Sequence, residues 1–201
     1  MKLNFNYWNT TVGVIGKSRT GKTYITGQLA KRADGRCSVL CALESNRVKY
    51  MPFSKDIVIP AQDQIDGIVD RFIQDRAKNR ASLLVFDDLD YFIHDARQSS
   101  MLMNLPVASK GEWMHGNIWQ SRRLVNLPRP LVQNSDYLIF AFGVDPYDFD
   151  DLEKYVNFNP DIYKTMKPPV YSPNDPRVLL SAQYMLLDTQ SGEQEIIDGV
   201  Q

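Results

Sequence analysis

Eight residues near the N-terminus, Gly16-Lys17-Ser18-Arg19-Thr20-Gly21-Lys22-Thr23, combine the types and spacing that hold a polyphosphate. In a G-x-x-x-x-G-K-[ST] turn the glycines let successive backbone N–H groups converge on an anion. A helix opening behind the turn adds positive potential. Lys22 is placed to reach β- and γ-phosphates, and the Thr23 hydroxyl to ligate Mg²⁺. Residues Gly16, Lys17, Ser18, Arg19, Thr20, Gly21, Lys22, Thr23 and Tyr24 are therefore read as the segment that binds ATP with Mg²⁺. The bland alternative, a β–α turn with a solvated lysine, needs both the eight-residue coincidence and the correct flanks. Guanine specificity finds no support, since the chain has no Asn-Lys-x-Asp motif.

A second constellation is Asp87-Asp88, which closes the apolar run Ser82-Leu83-Leu84-Val85-Phe86. An unbroken apolar run reads as a central parallel strand buried on both faces. Paired acids at its end have a plain reading as a turn. Downstream of a phosphate loop, they read instead as an acid that holds Mg²⁺ through bound water, Asp87, and one that polarises the attacking water, Asp88. Glu44, at the end of the run Cys37–Leu43, is a competing candidate for the base.

These groups need positioning elements, and the pattern supplies them. Thr11–Ile15 reads as a buried strand before the loop, and the helix after it should end near Asp34-Gly35. Leu3, Phe5 and Tyr7 alternate with Asn4 and Asn6, which suggests a half-exposed strand over residues 1–10. Residues 45–55 read as irregular, Ile57–Ile59 as a short strand stopped by Pro60, and 62–79 as an amphipathic helix. His94, read as a surface residue, and Asp95 lead into a helix near 95–105. A loop, 109–116, then precedes a short strand, Asn117–Gln120, which ends in Ser121-Arg122-Arg123. Leu127-Pro128-Arg129-Pro130 connects to an apolar strand, Tyr137–Phe142. Asp145-Pro146 caps a helix with Phe149, Leu152 and Val156 on one face. Prolines from 157 to 181 forbid long helices, and Gln183–Asp188 with Glu193–Ile197 reads as a hairpin. The expected organisation is an α/β fold with a mostly parallel sheet. Residues 1–156 form the core, and 157–201 a Pro-rich connection and hairpin packed on or extending it.

With 201 residues, 43% hydrophobic and 23% charged, the chain has room for a substantial core. Its net charge of −1 excludes a global basic field, so any nucleic-acid contact must come from local or assembled patches. No apolar run reaches the roughly 18 residues of a membrane helix, and the N-terminus does not read as a signal peptide. Cys37 and Cys41 lie ~13 Å apart in extended chain, too far for a disulfide, and read as small buried hydrophobes in a reducing compartment.

Gly16–Thr23, the run ending Asp87-Asp88 and the segment His115–Phe142 together resemble the HerA/FtsK division of P-loop ATPases, in particular the small genome-packaging ATPases of membrane-containing icosahedral viruses. The segment His115–Phe142 is the most telling: a short strand ending in Gln, then arginines, a Leu-Pro, an Asn-x-Asp-Tyr and an apolar strand. The resemblance covers roughly residues 11–156. It implies a RecA/ASCE-like P-loop fold with the Gln120 strand between the phosphate-loop strand and the Asp87 strand, and Gln120 contacting the γ-phosphate or attacking water. It also implies DNA-translocating ATP hydrolysis in a ring, usually hexameric, that threads double-stranded DNA. Such a ring places Arg122 or Arg123 against a neighbour's ATP. A capsid vertex or membrane protein would be a partner, and the cytoplasm of an infected host cell, or the virion, the location. One departure is Asp88, where the group usually has Glu. Lys17 stands where some packaging motors carry a cis-acting basic residue; a solvated loop lysine is the other reading. Two further functions share the P-loop. A small-molecule kinase would use the arginines as a lid. A partitioning-type switch ATPase would use Lys17 as its signature lysine, but Ser18-Arg19 replaces that family's Gly-Gly.

Overall fold

Alternating apolar runs and turn signals produce nine strands in a computed structural model that describes residues 5–54, 56–61, 64, 67, 82–93, 106, 115–125, 127–175 and 177–199. They are β1 (Thr11–Ile15), β2 (Cys37–Cys41), β3 (Asp56–Val58), β4 (Ser82–Asp87), β5 (His115–Ser121), β6 (Tyr137–Ala141), β7 (Val170–Tyr171), β8 (Leu179–Asp188) and β9 (Gln194–Gly199). Their order across the sheet is β3-β2-β4-β5-β1-β6-β8-β7, with β9 also paired to β8. The first six strands in that order are parallel; β8 runs antiparallel to β6, and β7 and β9 run antiparallel to β8. The fold is the P-loop α/β fold with a terminal hairpin, and β5, which ends near Gln120, lies between β1 and β4 as the resemblance implies.

Every residue of β1, β2, β4 and β5 is buried, which is why β1, β2 and β4 read as largely apolar runs rather than alternating ones. Each face of the sheet has its own core. One gathers Ile15, Phe86, Trp119 and Phe140 under Leu131, Leu152 and Val156 of the helices α3 (Arg129–Asn134) and α4 (Phe149–Val156). The other gathers Val14, Val39, Val85 and Ile118 under Leu29 and Ala30 of α1 (Lys22–Ala30), with Tyr50 and Tyr184. Cys37 and Cys41 belong to this second core as unbridged thiols. Burial pushes the Cys41 thiol up to about 12, so it stays protonated and inert.

Several sequence expectations change in detail. Residues 5–10 form a turn rather than a strand: the Asn6 carbonyl accepts from both Asn9 and Thr10, and the Asn6 amide donates to the Thr10 hydroxyl. Asn-rich segments make such local bonds readily, and these outweigh the weak alternation. The segment expected to be irregular instead opens with a helix, α2 (Glu44–Tyr50), followed by a turn through Phe53. The connection 127–130 enters a short helix with Pro130 in its first turn, and β5 begins at His115, two residues earlier than the pattern suggests. α1 ends in a 3-10 turn capped by Asp34 in left-handed backbone, as Asp34-Gly35 suggests. Pro160 sits in the first turn of a short helix, α5 (Pro160–Lys164), whose Asn159 side chain accepts from Asp161 and Ile162. Apart from Gln64 and Gly67, the helices expected over 62–79 and 95–105, with His94, Asp95 and residues 109–114 of the loop before His115, lie outside the described residues.

Candidate nucleotide-binding site

Register aligns the candidate groups. Ile15 of β1 pairs with Ser121 of β5, Phe86 of β4 pairs with Trp119, and Asp87 pairs with Cys41 of β2. The parallel strands therefore deliver the phosphate loop, Gln120 and Asp87-Asp88 to one edge of the sheet, around a cavity of about 910 Å³. Its walls include Ser18, Arg19, Lys22, Thr23, Asp88 and Gln120.

The loop is held from within and from behind. Thr20 donates its hydroxyl to the Lys17 carbonyl at 2.8 Å. The buried Lys22 ammonium donates to the carbonyls of Gly16 at 2.6 Å and Lys17 at 3.0 Å, folding its side chain over the loop. Burial lowers the Lys22 pKa, partly countered by the Asp88 carboxylate. At Gly21 (φ 88°) only glycine fits, because a Cβ would collide with the Tyr184 hydroxyl, which donates to the Gly21 carbonyl at 3.0 Å. Arg19 also takes left-handed backbone (φ 62°), and its carbonyl accepts from the Tyr171 hydroxyl. Both tyrosines come from the C-terminal strands, so this late part of the chain buttresses the loop. Lys17 is exposed, with its stem over Gly143, where a Cβ would stand 3.3 Å from Lys17 Cδ.

Opposite the loop, Asp87 is nearly inaccessible and both of its oxygens accept hydrogen bonds from α2. The Tyr50 hydroxyl donates to Oδ1 at 2.5 Å, and Asn46 Nδ2 donates to Oδ2 at 2.6 Å. Gln120 Nε2 donates to the same Tyr50 hydroxyl at 2.7 Å, and Lys49 Nζ donates to Asn46 Oδ1 at 2.8 Å. Burial raises the Asp87 pKa, and the bonds from Tyr50 and Asn46 pull it back. Asn46, Lys49 and Tyr50 escape a motif search; their only sequence signal is the i, i+3, i+4 spacing on one helix face.

The remaining candidates separate. Asp88, in left-handed backbone (φ 51°), is clasped by Arg122, with Nη2–Oδ2 at 2.7 Å and Nε–Oδ1 at 3.4 Å. Arg123 turns away to Asp145 at 3.6 Å and Asp148 at 4.0 Å. Glu44 is exposed at the start of α2 and pairs with Arg47 at 3.4 Å, outside the cavity wall. Tyr24 lines the cavity beside Thr23.

The donor set fits a magnesium nucleotide. One hydroxyl (Thr23) and one carboxylate (Asp87) suit a hard cation bound mainly through phosphates and water, and the glycine turn with Lys22 suits the phosphates themselves.

No protein-family model matches the chain, and no curated protein does. Solved structures do. The DNA-packaging ATPase B204 of Sulfolobus Turreted Icosahedral Virus is similar at a TM-score of 0.75 and 17% identity, over 98% of this chain and 100% of that one. The genome-packaging NTPase B204 of Sulfolobus turreted icosahedral virus 2, in complex with ATP-gammaS, is similar at 0.74 and 15%, over 96% and 98%. ATPases 2 and 3 of EssC from Geobacillus thermodenitrificans are similar at 0.58 and 13%, over 88% of this chain and 37% of that one. The likeness is one of fold: this chain has the fold of P-loop ATPases.

Proposed function

We propose that this chain hydrolyses ATP and is a motor subunit that moves double-stranded DNA, most specifically one that packages a viral genome. A single juxtaposition carries the reading: the phosphate loop, Asp87-Asp88 and Gln120 meet at one edge of three neighbouring parallel strands. The fold shared with B204, described as a packaging ATPase, supports the DNA-handling part.

In this reading Lys22 leaves the carbonyls of its own loop for the β- and γ-phosphates, and the loop amides hold the remaining charge. Thr23 and, through water, Asp87 hold Mg²⁺, which when bound neutralises charge developing on the phosphate oxygens. Asp88 accepts a proton from the attacking water as the water oxygen bonds to the γ-phosphorus. The bond to the β–γ bridging oxygen breaks, and its electron pair leaves with ADP. Arg122 bonds each Asp88 oxygen once and leaves each a lone pair for the water, and in this reading Arg122 turns to phosphate oxygens as hydrolysis begins. Arg122 is half exposed, which leaves room for that turn. Gln120 orients the γ-phosphate or the water.

The assembly is proposed to be a ring, a hexamer, with a capsid vertex or membrane protein as partner, in the cytoplasm of an infected host cell or in the virion. With a net charge of −1, the DNA-facing field has to come from patches brought together by the ring. No helix among the described residues is long and apolar enough to cross a membrane. The test is native mass with ATP, together with phosphate release with and without double-stranded DNA. A ring whose turnover rises with DNA supports the reading; a DNA-insensitive monomer overturns it.

A further inference from the structure

We infer that Tyr50 is the positioning residue of the metal corner, a single hydroxyl through which Gln120 and the Asp87 carboxylate act as one unit. The inference rests on the proposed nucleotide reading.

The hydrogen bonds run in one direction. Gln120 Nε2 donates to Tyr50 Oη at 2.7 Å, and Tyr50 Oη donates to Asp87 Oδ1 at 2.5 Å. The one hydroxyl thus joins Asp87, expected at Mg²⁺, to Gln120, expected at the terminal phosphate. Tyr50 is not held there by accident of a surface rotamer. It has no solvent exposure, lies within the core cluster of β2 and β4, and meets Phe53 edge to face at 5.3 Å. Asn46 fixes the other carboxylate oxygen, so the plane of the Asp87 carboxylate is set by α2 from two sides. Each oxygen has two lone pairs and gives one to α2. The other remains for a metal-bound water, which lets the corner bind metal without α2 withdrawing.

Fixing a ligand's partner in this way characteristically changes metal affinity by about 10–100-fold. Gln120 makes no hydrogen bond to Asp87, yet it orients the Tyr50 hydroxyl. Its removal therefore reaches the metal corner through Tyr50.

The test uses ADP, which has no γ-phosphate, so that any direct contact of Gln120 with that group is silent. ADP affinity is measured by calorimetry in EDTA and across a MgCl₂ titration. For Tyr50→Phe the expected result is an EDTA affinity within about twofold of wild type and a Mg²⁺ half-point raised about tenfold or more. Gln120→Leu raises the half-point as well, and the double variant is no worse than Tyr50→Phe alone. Asn46→Ala, which acts on the other oxygen, raises it additively with Gln120→Leu. An unchanged half-point in Tyr50→Phe, or strict additivity with Gln120→Leu, overturns the inference. If circular dichroism shows Tyr50→Phe unfolded, Gln120→Leu alone decides: an unchanged half-point overturns it. Wild-type protein that binds no ADP overturns the nucleotide reading itself, which is a separate result.

Discussion

On the β1 side of the cavity, every group expected at the phosphates comes from nine consecutive residues, Gly16–Tyr24, whose order alone states their chemistry. On the β4 side, the Asp87 carboxylate is held by Asn46 and Tyr50, 41 and 37 positions away, and Tyr50 is reached by Gln120, 70 positions away. The loop takes its chemistry from one strand and one helix in sequence, with Tyr171 and Tyr184 as its distant supports. The carboxylate corner needs β2, α2, β4 and β5 packed in register. Hydrogen bonds to a buried charge each contribute about 1.5–3 kcal/mol, which at this corner offsets part of the cost of burying Asp87.

The largest effects belong to the loop side. Lys22→Ala should abolish detectable turnover and weaken ATP binding, because it removes the cation proposed to leave the Gly16 and Lys17 carbonyls for the β- and γ-phosphates. Steady-state phosphate release checks this, and near wild-type turnover would dissolve the contrast altogether. Asp88→Asn should keep ATP binding and lower turnover about a hundredfold or more. Glu44→Gln should stay within about twofold, since Glu44 faces solvent beside Arg47. The reverse order in single-turnover assays would move the base to α2.

The arginines sharpen the comparison at smaller magnitude. Arg122→Ala should cost about tenfold or more in turnover, with a KM for ATP little changed. Arg123→Ala should leave turnover nearly intact. Losing its partly exposed pairs with Asp145 and Asp148, worth up to about 1 kcal/mol, should lower Tm by about 1–3 °C in thermal melts. Equal losses of turnover in both would favour a role for Arg123 at a neighbouring subunit.

The smallest effect is a pH dependence. Burial holds the folded Asp87 carboxyl above its ordinary 3.8, so just above that value the native state binds more protons than the unfolded state. Asp87 therefore lowers stability as pH rises through that window, and the carboxylate that metal needs appears only at its upper end. Mg²⁺-dependent ADP binding should fail on acidification at a higher pH than an ordinary carboxylate would dictate. Tyr50→Phe removes a bond that favours the charged form and should move that failure higher still. Calorimetry across pH checks both directions.

Legibility followed the same division. The phosphate turn, the buried strand ending in Asp87-Asp88, the Tyr137 strand and the terminal hairpin are visible because each is specified by contiguous residues. α2 is not: seven residues, Glu-Ser-Asn-Arg-Val-Lys-Tyr, are too short for a period to emerge, and Asn46 and Tyr50 acquire meaning only beside Asp87. The alternation over residues 1–10 misleads because Asn6 turns the chain back on itself. Nothing in the sequence distinguishes Arg122 from Arg123 either; β5 aims one at Asp88 and the next at α4's entrance.

The fate of the terminal phosphate tests the central claim most directly. With γ-labelled ATP, Mg²⁺ and double-stranded DNA, the account predicts that the label appears as inorganic phosphate, faster with DNA than without and not at all in Lys22→Ala. Label transferred to a small-molecule acceptor, or release that ignores both DNA and Lys22, would contradict it.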